Sequence, residues 1–322
     1  MQLKTQIKSV LEQYSLQGQT ILIGLSGGPD SVCLAHILHD LADSLNLTLI
    51  AAHLDHGWRE DSKNDVALCI KFCNERNIPL VTRHARNYES QVKKNGSKEA
   101  HARKIRQLFF KEIQQEYSCA AIALAHHRDD QFETFFIRLI RGSSLAGLCA
   151  MQIFNAHKIV RPMLEISKLD IYEYLAANNL KFIVDQTNES LNFLRNRIRL
   201  QLMPQLTEID VRFKHNLQAT IKKLNIDNDF LEQFAKTFLA EFVTQKIELL
   251  KFQQLHKAIQ NRVLITLLIN AQVKFTASNM QLSEMLKFLN SPHGGRHEFG
   301  SNFCIIKSKK LFWVEKPKIS SP

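Results

Sequence analysis

The sequence predicts a doubly wound α/β domain built on a parallel sheet, followed by a mostly helical domain that ends in a short β-hairpin. Three observations carry this reading. Thr20–Leu25, Thr48–His53, Pro79–Arg83 and Ala120–Ala125 are continuous apolar runs of strand length, as expected of strands covered on both faces. Stretches of helical period separate them, which is the alternation of an α/β sheet. Beyond Ser167 nearly every segment reads as helix.

Taken in order, helical patterns fall at about 31–45, 60–77, 98–117 and 129–141. Gly142-Ser143-Ser144 closes the last of these, and 152–164 is expected to form a final strand or hairpin ending at Arg161-Pro162. Further helices are expected at about 167–178, 190–203, 210–245, 253–271 and 278–289. Pro204 is expected to stop one of them, because its ring removes a donor and crowds the preceding turn. After Ser291-Pro292-His293-Gly294-Gly295 the tail, 296–315, alternates as a hairpin should. The expected domains are therefore 1–190 and 191–322.

The 322 residues are 45% hydrophobic and carry 42 Lys+Arg against 31 Asp+Glu, a net charge of +11. An excess of this size points to a polyanionic partner, RNA or DNA first, with a generally basic proteome as the alternative. The six cysteines, Cys33, Cys69, Cys73, Cys119, Cys149 and Cys304, form no CxxC, zinc pattern or disulfide framework and read as small core residues. The segment 1–6 lacks the apolar core of a signal peptide, and no apolar run approaches the roughly 20 residues of a membrane span. A soluble, cytoplasmic protein is the expectation.

The chemistry concentrates in Ser26-Gly27-Gly28-Pro29-Asp30-Ser31, which follows a strand and opens a helix. Two glycines let a ligand approach the main chain. Successive N–H groups and the dipole of the helix that follows make an anion site, to which Ser26 and Ser31 add hydroxyls. No lysine follows the glycines, so this is not a Walker A loop. A carboxylate beside phosphates needs a bridging cation, and Asp30 is read as a Mg²⁺ ligand. The plain alternative is a β–turn–α connection with Asp30 as a helix cap.

In a doubly wound sheet, ligands bind beyond the carboxyl ends of the strands where strand order reverses. With the first strand flanked by the second and fourth, His53-Leu54-Asp55-His56-Gly57-Trp58-Arg59 and His126-His127-Arg128-Asp129-Asp130-Gln131 converge on the glycine turn. The helix after the fourth strand carries acids at its start and Arg138 and Arg141 at its end, which also suits simple helix electrostatics. His53, Asp55 and His56 match no zinc spacing. Arg103, in Glu99-Ala100-His101-Ala102-Arg103, would alone be an ordinary solvated arginine. Arg195, Arg197 and Arg199 form a compact donor set for phosphates or a solvated basic face; on a helix Arg195 and Arg199 share one side and Arg197 points elsewhere. Asp185 and Asn188 read as caps of the next helix.

The SGGxDS turn resembles the signature of the PP-loop ATP pyrophosphatases, of the adenine nucleotide alpha hydrolase-like fold. That resemblance implies ATP bound on Ser26, Gly27, Gly28, Pro29, Asp30 and Ser31, with His53 and Asp55 lining the nucleotide site, and a substrate adenylated with release of pyrophosphate. The resemblance sharpens with Glu99–Arg103, Ala125–Thr134, Arg138-Leu139-Ile140-Arg141-Gly142, Arg161-Pro162-Met163-Leu164, Asp185-Gln186-Thr187-Asn188 and Arg195-Asn196-Arg197-Ile198-Arg199. These stand in the order seen in the tRNA(Ile)-lysidine synthetase family, from about residue 20 to 206.

That family converts the wobble cytidine of a CAU anticodon to lysidine, with ATP, Mg²⁺, free L-lysine and tRNA(Ile) as the implied partners. The resemblance implies His126 and Asp130 as the residues that hold lysine and Arg103 as the group facing developing negative charge. Arg138, Arg141, Arg195, Arg197 and Arg199 are the implied RNA contacts, and assembly as a homodimer is left open. Longer family members carry an extra C-terminal module, of which the tail hairpin would be a reduced counterpart. Three other readings compete with it: a PP-loop tRNA thiolase, an amidating enzyme such as an NAD or GMP synthetase, and a non-catalytic RNA-binding protein. The unpaired cysteines, the basic charge and the intact glycine turn speak against them in that order.

Overall fold

The computed structural model describes every residue except 1, 58–61, 94–97, 185–189, 243, 245, 274–277, 300–302 and 316–322. Trp58, Arg59 and the stretch Asp185-Gln186-Thr187-Asn188, named above, lie outside the described residues. The chain forms two compact units, Met1–Ile221 and Lys222–Pro322.

The first unit begins with α1 (Gln2–Gln13), then alternates β1 (Thr20–Gly24), α2 (Pro29–Leu45), β2 (Thr48–Asp55), α3 (Ser62–Asn74) and β3 (Leu80–His84). A 3₁₀ turn (Ala85–Gln91) leads to α4 (Lys98–Glu116), β4 (Ala121–Ala123), α5 (Arg128–Ile140), the single turn α6 (Leu145–Leu148), β5 (Ile159–Val160) and α7 (Lys168–Ala177). The strands are parallel in the order β3-β2-β1-β4-β5, so β1 lies between the second and fourth strands as expected. Successive strand residues feed opposite cores. Ile21, Ile23, Leu49, Ala51, Ala121 and Ala123 pack with α1, α2 and α3, whereas Leu22, Ile50, Ala52 and Ile122 pack against Phe109, Phe110 and Ile113 of α4. Both faces being covered is why these strands read as unbroken apolar runs. The expected last strand shrinks to the two residues of β5, with Phe154 bridging back to Val160.

Past residue 190 the packing continues. The helical path runs through α8 (Leu194–Arg197), a π turn (Ile198–Leu202) and α9 (Met203–Ile209). Ile198 and Met203 pack on Phe132 of α5, together with Leu217 and Ile221 from the start of α10 (Phe213–Ala240). Pro204 does not end this path, contrary to expectation. It falls in the first turn of α9, directly after the wide π turn, where its missing N–H costs little.

In the second unit α10 is followed by β6 (Ile247–Glu248), α11 (Leu249–Gln253), α12 (Lys257–Asn270), α13 (Asn279–Asn290), β7 (Gly295–Phe299), β8 (Phe303–Lys307) and β9 (Leu311–Glu315). The expected hairpin is present as β7–β8. It is extended by β9 and β6 into an antiparallel sheet of order β6-β9-β8-β7, turned at Ser308, whose N–H and hydroxyl both bond to Leu311 O. One sheet face packs Ile305 and Phe312 on Phe252, Val263, Met285 and Leu289. Lys307 reaches under the end of α13, donating to the carbonyls of Phe288 and Ser291, so a buried ammonium serves as a helix C-cap.

Candidate active site

At the carboxyl end of β1 the chain turns sharply. Gly27 has φ +84°, and a Cβ there would meet Ile183 Cδ1 at 3.0 Å and Cys69 Sγ at 3.4 Å. Only glycine fits both the angle and the space. Ile183 N–H donates to Gly27 O at 2.9 Å, which fixes the back of the turn. Ser31 Oγ accepts from Ser26 N and Ser26 Oγ, each at 3.1 Å, and donates to Gly28 O at 2.9 Å. Both hydroxyl protons are thus spent inside the loop, leaving the outward donors to the backbone. Gly28 caps α2 without a side chain and Pro29 opens its first turn, so the first N–H groups of the helix face outward with no intrahelical acceptor.

Asp30 sits in that first turn. Lys168 Nζ, from the first turn of α7, lies 2.5 Å from its Oδ1, and His127 Nε2 lies 3.7 Å away. A chain of charges runs on from there. Lys168 N–H donates to Asp129 Oδ2 at 3.0 Å, tying the heads of α5 and α7 together. Asp130 accepts His127 N–H at 2.9 Å through Oδ2 and Arg195 Nη2 at 2.5 Å through Oδ1. Arg195 Nε continues to Glu133 at 2.5 Å, and Arg199 Nε lies 3.2 Å from the other Glu133 oxygen. Asn196 Oδ1 in turn accepts from Arg199 Nη2 at 2.7 Å. The network links Asp30 at the glycine turn to Arg199 on the π turn.

Electrostatics follow from burial. His126, at the mouth of β4, is held neutral: burial pushes its imidazole down to about 3 against the pull of Asp130, and Arg161, Arg195 and Arg103 add to the downward push. Its Nδ1 is buried with no hydrogen-bond partner. Burial pushes the Asp130 carboxyl up, but His127, Arg195 and His126 together bring it below the usual value. Glu133 goes the other way, because burial outweighs its two arginine partners.

The remaining expected residues are placed as follows. His53 Nδ1 is 2.9 Å from Leu25 O and 3.4 Å from Cys69 Sγ, so it braces the strand leading into the turn. Asp55 is engaged by Gly57 N–H at 2.8 Å and by its cross-strand partner His84 at 3.0 Å. Arg138 donates to the carbonyls of Gly147 and Ala150, whereas Arg141, at the end of α5, Arg197 and Arg103 are exposed. The structure therefore gathers Asp30, His126 and Asp130 around one mouth and turns Arg195 and Arg199 inward onto carboxylates. Lys168, His127 and Glu133 belong to the same network; in sequence His127 stands within the cluster after the fourth strand and Glu133 among the acids of the helix that follows, whereas Lys168 is not singled out. The capping box Ser167-Lys168-Leu169-Asp170 following Arg161-Pro162 was the available signal for Lys168.

Among the described residues no group of three or more His, Cys, Asp or Glu side chains could hold a metal by itself. A Mg²⁺ that travels with nucleotide phosphates needs only one or two protein carboxylates, and Asp30, beside outward-facing N–H groups, fits that requirement.

Residues 1–206 match the PP-loop domain family. The chain is 30% identical to the tRNA(Ile)-lysidine synthase of Clostridium tetani, over 94% of this chain and 70% of that protein. It is likewise 30% identical to the tRNA(Ile)-lysidine synthase of Bacillus subtilis, over 96% of this chain and 69% of that protein. The chain belongs to the tRNA(Ile)-lysidine synthase family. Among solved structures, the U34-tRNA thiolase NcsA from Methanococcus maripaludis, determined with its [4Fe-4S] cluster, superposes with a TM-score of 0.60 at 20% identity. That match covers 69% of this chain and 78% of the thiolase, so the lysidine synthase family and the thiolase share the fold. A PP-loop domain over residues 1–206 supports the use of ATP.

Proposed function

We propose that this chain is an ATP-dependent ligase that converts the wobble cytidine of tRNA(Ile) with a CAU anticodon to lysidine in the cytoplasm. The observation that carries the reading is similarity to tRNA(Ile)-lysidine synthases over nearly the whole chain, with the glycine turn, Asp30 and the Asp130 cluster on one continuous charged network. The cytidine C2 oxygen attacks the α-phosphorus, the α–β bridge breaks and pyrophosphate leaves. Free lysine then attacks C2 through its ε-amine, the C2–O bond breaks, AMP leaves and the amine loses its protons.

The turn N–H groups and the head of α2 hold phosphate oxygens. A Mg²⁺ held by Asp30 would supply charge neutralisation at the phosphates, and Lys168 offers a second positive charge beside the same carboxylate. His126 and Asp130 position the incoming amine; an imidazole held as low as about 3 accepts a hydrogen bond from the amine rather than taking its proton. The helical region from about residue 191 onward supplies tRNA contacts, with the exposed Arg141 and Arg197 as phosphate ligands. The thiolase reading has no support in the cysteines, all six of which are buried and none of which is in a disulfide. The test is incorporation of labelled lysine into tRNA(Ile): incorporation that requires ATP and yields AMP and pyrophosphate in equal amounts supports the proposal, and formation of ADP contradicts it.

A further inference from the structure

Arg161 follows β5 directly and is 6% exposed. Its Nη1 donates to Gln152 O at 2.9 Å, while its Nε is buried with no hydrogen-bond partner. Arg138 fastens to the same loop, donating to Gly147 O at 2.6 Å and Ala150 O at 2.8 Å. Neither guanidinium has a carboxylate partner among the described residues, and neither does Arg103 of α4. The three are close enough to repel one another. Burial, then Arg103 and Arg138, push Arg161 down to about 10, and burial with Arg103 lowers Arg138 as well. β5 pairs with β4 through Ala123 and Val160, and Leu124 N–H donates to Val160 O, so Arg161 lies beside the mouth of β4 that carries His126; Arg161 and Arg103 both bear on that imidazole.

Desolvated cations such as Arg161 and Arg138, held without a counter-charge, cost stability, and a protein that only needed to peg a loop could do so with neutral donors. A cluster that keeps three guanidiniums together, one with a vacant buried N–H, is matched to an oxyanion bearing several acceptor oxygens. We infer that Arg161, with Arg138 and Arg103, forms a phosphate-binding site next to His126 that receives a phosphate of the reacting substrates, either a phosphodiester of the RNA adjoining the target base or the α-phosphate of ATP. Choosing these two sources rests on the proposed function; the anion site itself does not.

The test uses the full chain and the variants Arg161→Gln and Arg161→Lys. Inorganic pyrophosphate should raise the melting temperature of the unchanged protein beyond sodium chloride of equal ionic strength. Arg161→Gln should lose at least half of that rise, and Arg161→Lys, which keeps the charge, should retain most of it. Titrations then assign the source. A tenfold or greater loss of tRNA(Ile) affinity with ATP affinity kept, and a salt slope shallower by about one, identifies the RNA phosphodiester. The converse pattern identifies ATP. An unchanged pyrophosphate response in Arg161→Gln, or unchanged affinity for both ligands, overturns the inference and leaves Arg161 as a loop peg. Should Arg161→Gln not fold, an Arg161→Lys protein without any pyrophosphate-specific rise overturns it equally. None of these readings requires turnover, so a protein that binds pyrophosphate through Arg161 yet modifies no tRNA contradicts the proposed function and not this site.

Discussion

Lys168 Nζ lies 2.5 Å from Asp30 Oδ1, so the carboxylate at the head of α2 meets an ammonium carried by the head of α7, 138 positions away. Both side chains are about one-third exposed, with side-chain accessibilities of 31% and 28%. Such a pair contributes at most about 1 kcal/mol to stability, so its importance lies in what it does to the carboxylate. If Asp30 holds Mg²⁺ as proposed, Lys168 competes with the ion for that carboxylate and, once ATP is present, offers its charge to the phosphates.

Lys168→Met should therefore melt within a few degrees of the unchanged protein. The Mg²⁺ concentration giving half-maximal pyrophosphate release should fall severalfold, while KM for ATP at saturating Mg²⁺ rises. Asp30→Asn should lower pyrophosphate release by on the order of 100-fold or more with the fold intact by circular dichroism. Near-normal release by Asp30→Asn would remove Asp30 from the nucleotide site.

Arg195 and Arg197 should separate cleanly. Arg195 spans Asp130 and Glu133, and the Glu133 side chain is only 4% exposed. Removing its guanidinium leaves buried Glu133 with Arg199 alone and Asp130 with His127 alone, so Arg195→Met should cost about 3 kcal/mol in urea unfolding. A double-mutant cycle with Glu133→Gln should return a coupling of about 1–3 kcal/mol. Arg197 is exposed, and Arg197→Ala should leave stability unchanged while making the salt slope of tRNA binding shallower by about one. A stable Arg195→Met protein whose only defect is weaker tRNA binding would mean the inward pairing does not hold in solution.

Much of this was legible in the sequence for identifiable reasons. Strands buried on both faces leave unbroken apolar runs, so β1 to β4 were found, and the glycine turn declares itself by residues that no ordinary connection needs. What escaped depends on contacts that no local pattern encodes. β5 and β6 are two residues each and exist only because a neighbouring strand supplies the ladder. The π turn that carries the chain past Pro204 is a tertiary accommodation around the Phe132 cluster. Arg195 and Arg199 were correctly placed on one helical face, but their pattern alone could not say whether that face meets phosphate or Glu133. No local pattern pairs Lys168 with Asp30; only the fold brings them together.

Stability should fall on the acid side for a stated reason. His126 and His56 are pushed by burial to about 3 and about 4, below the ordinary 6.5. The unfolded chain therefore binds protons that the folded chain does not, and their contribution, full near pH 7, is lost as pH drops through 6.5 toward those values. Each can add a slope of at most about 1.4 kcal/mol per pH unit. Glu133, raised by burial, opposes the trend because its folded form gains a proton first. His126→Gln should flatten the decline in melting temperature between pH 7 and 5; an unchanged slope would show that His126 is not held neutral.

The cysteines supply a test against sulfur transfer. Burial pushes Cys33 and Cys69 up to about 12 and Cys73 to about 11, the opposite of a thiol poised to carry sulfur. A thiol reagent should react slowly or not at all with the native protein and should titrate six thiols after denaturation. Replacing all six with serine or alanine should leave lysine incorporation measurable, at some cost in packing. Rapid modification of one native cysteine, with loss of activity, would reopen the thiolase reading.

The most direct measurement is mass spectrometry of the nucleosides from tRNA(Ile) incubated with the full chain, ATP, Mg²⁺ and lysine. The proposed reaction predicts that the anticodon cytidine gains lysine with loss of water, only when ATP and lysine are both present, and not with the Asp30→Asn protein. A cytidine that remains unmodified while ATP is consumed, or that gains sulfur instead of lysine, would contradict it.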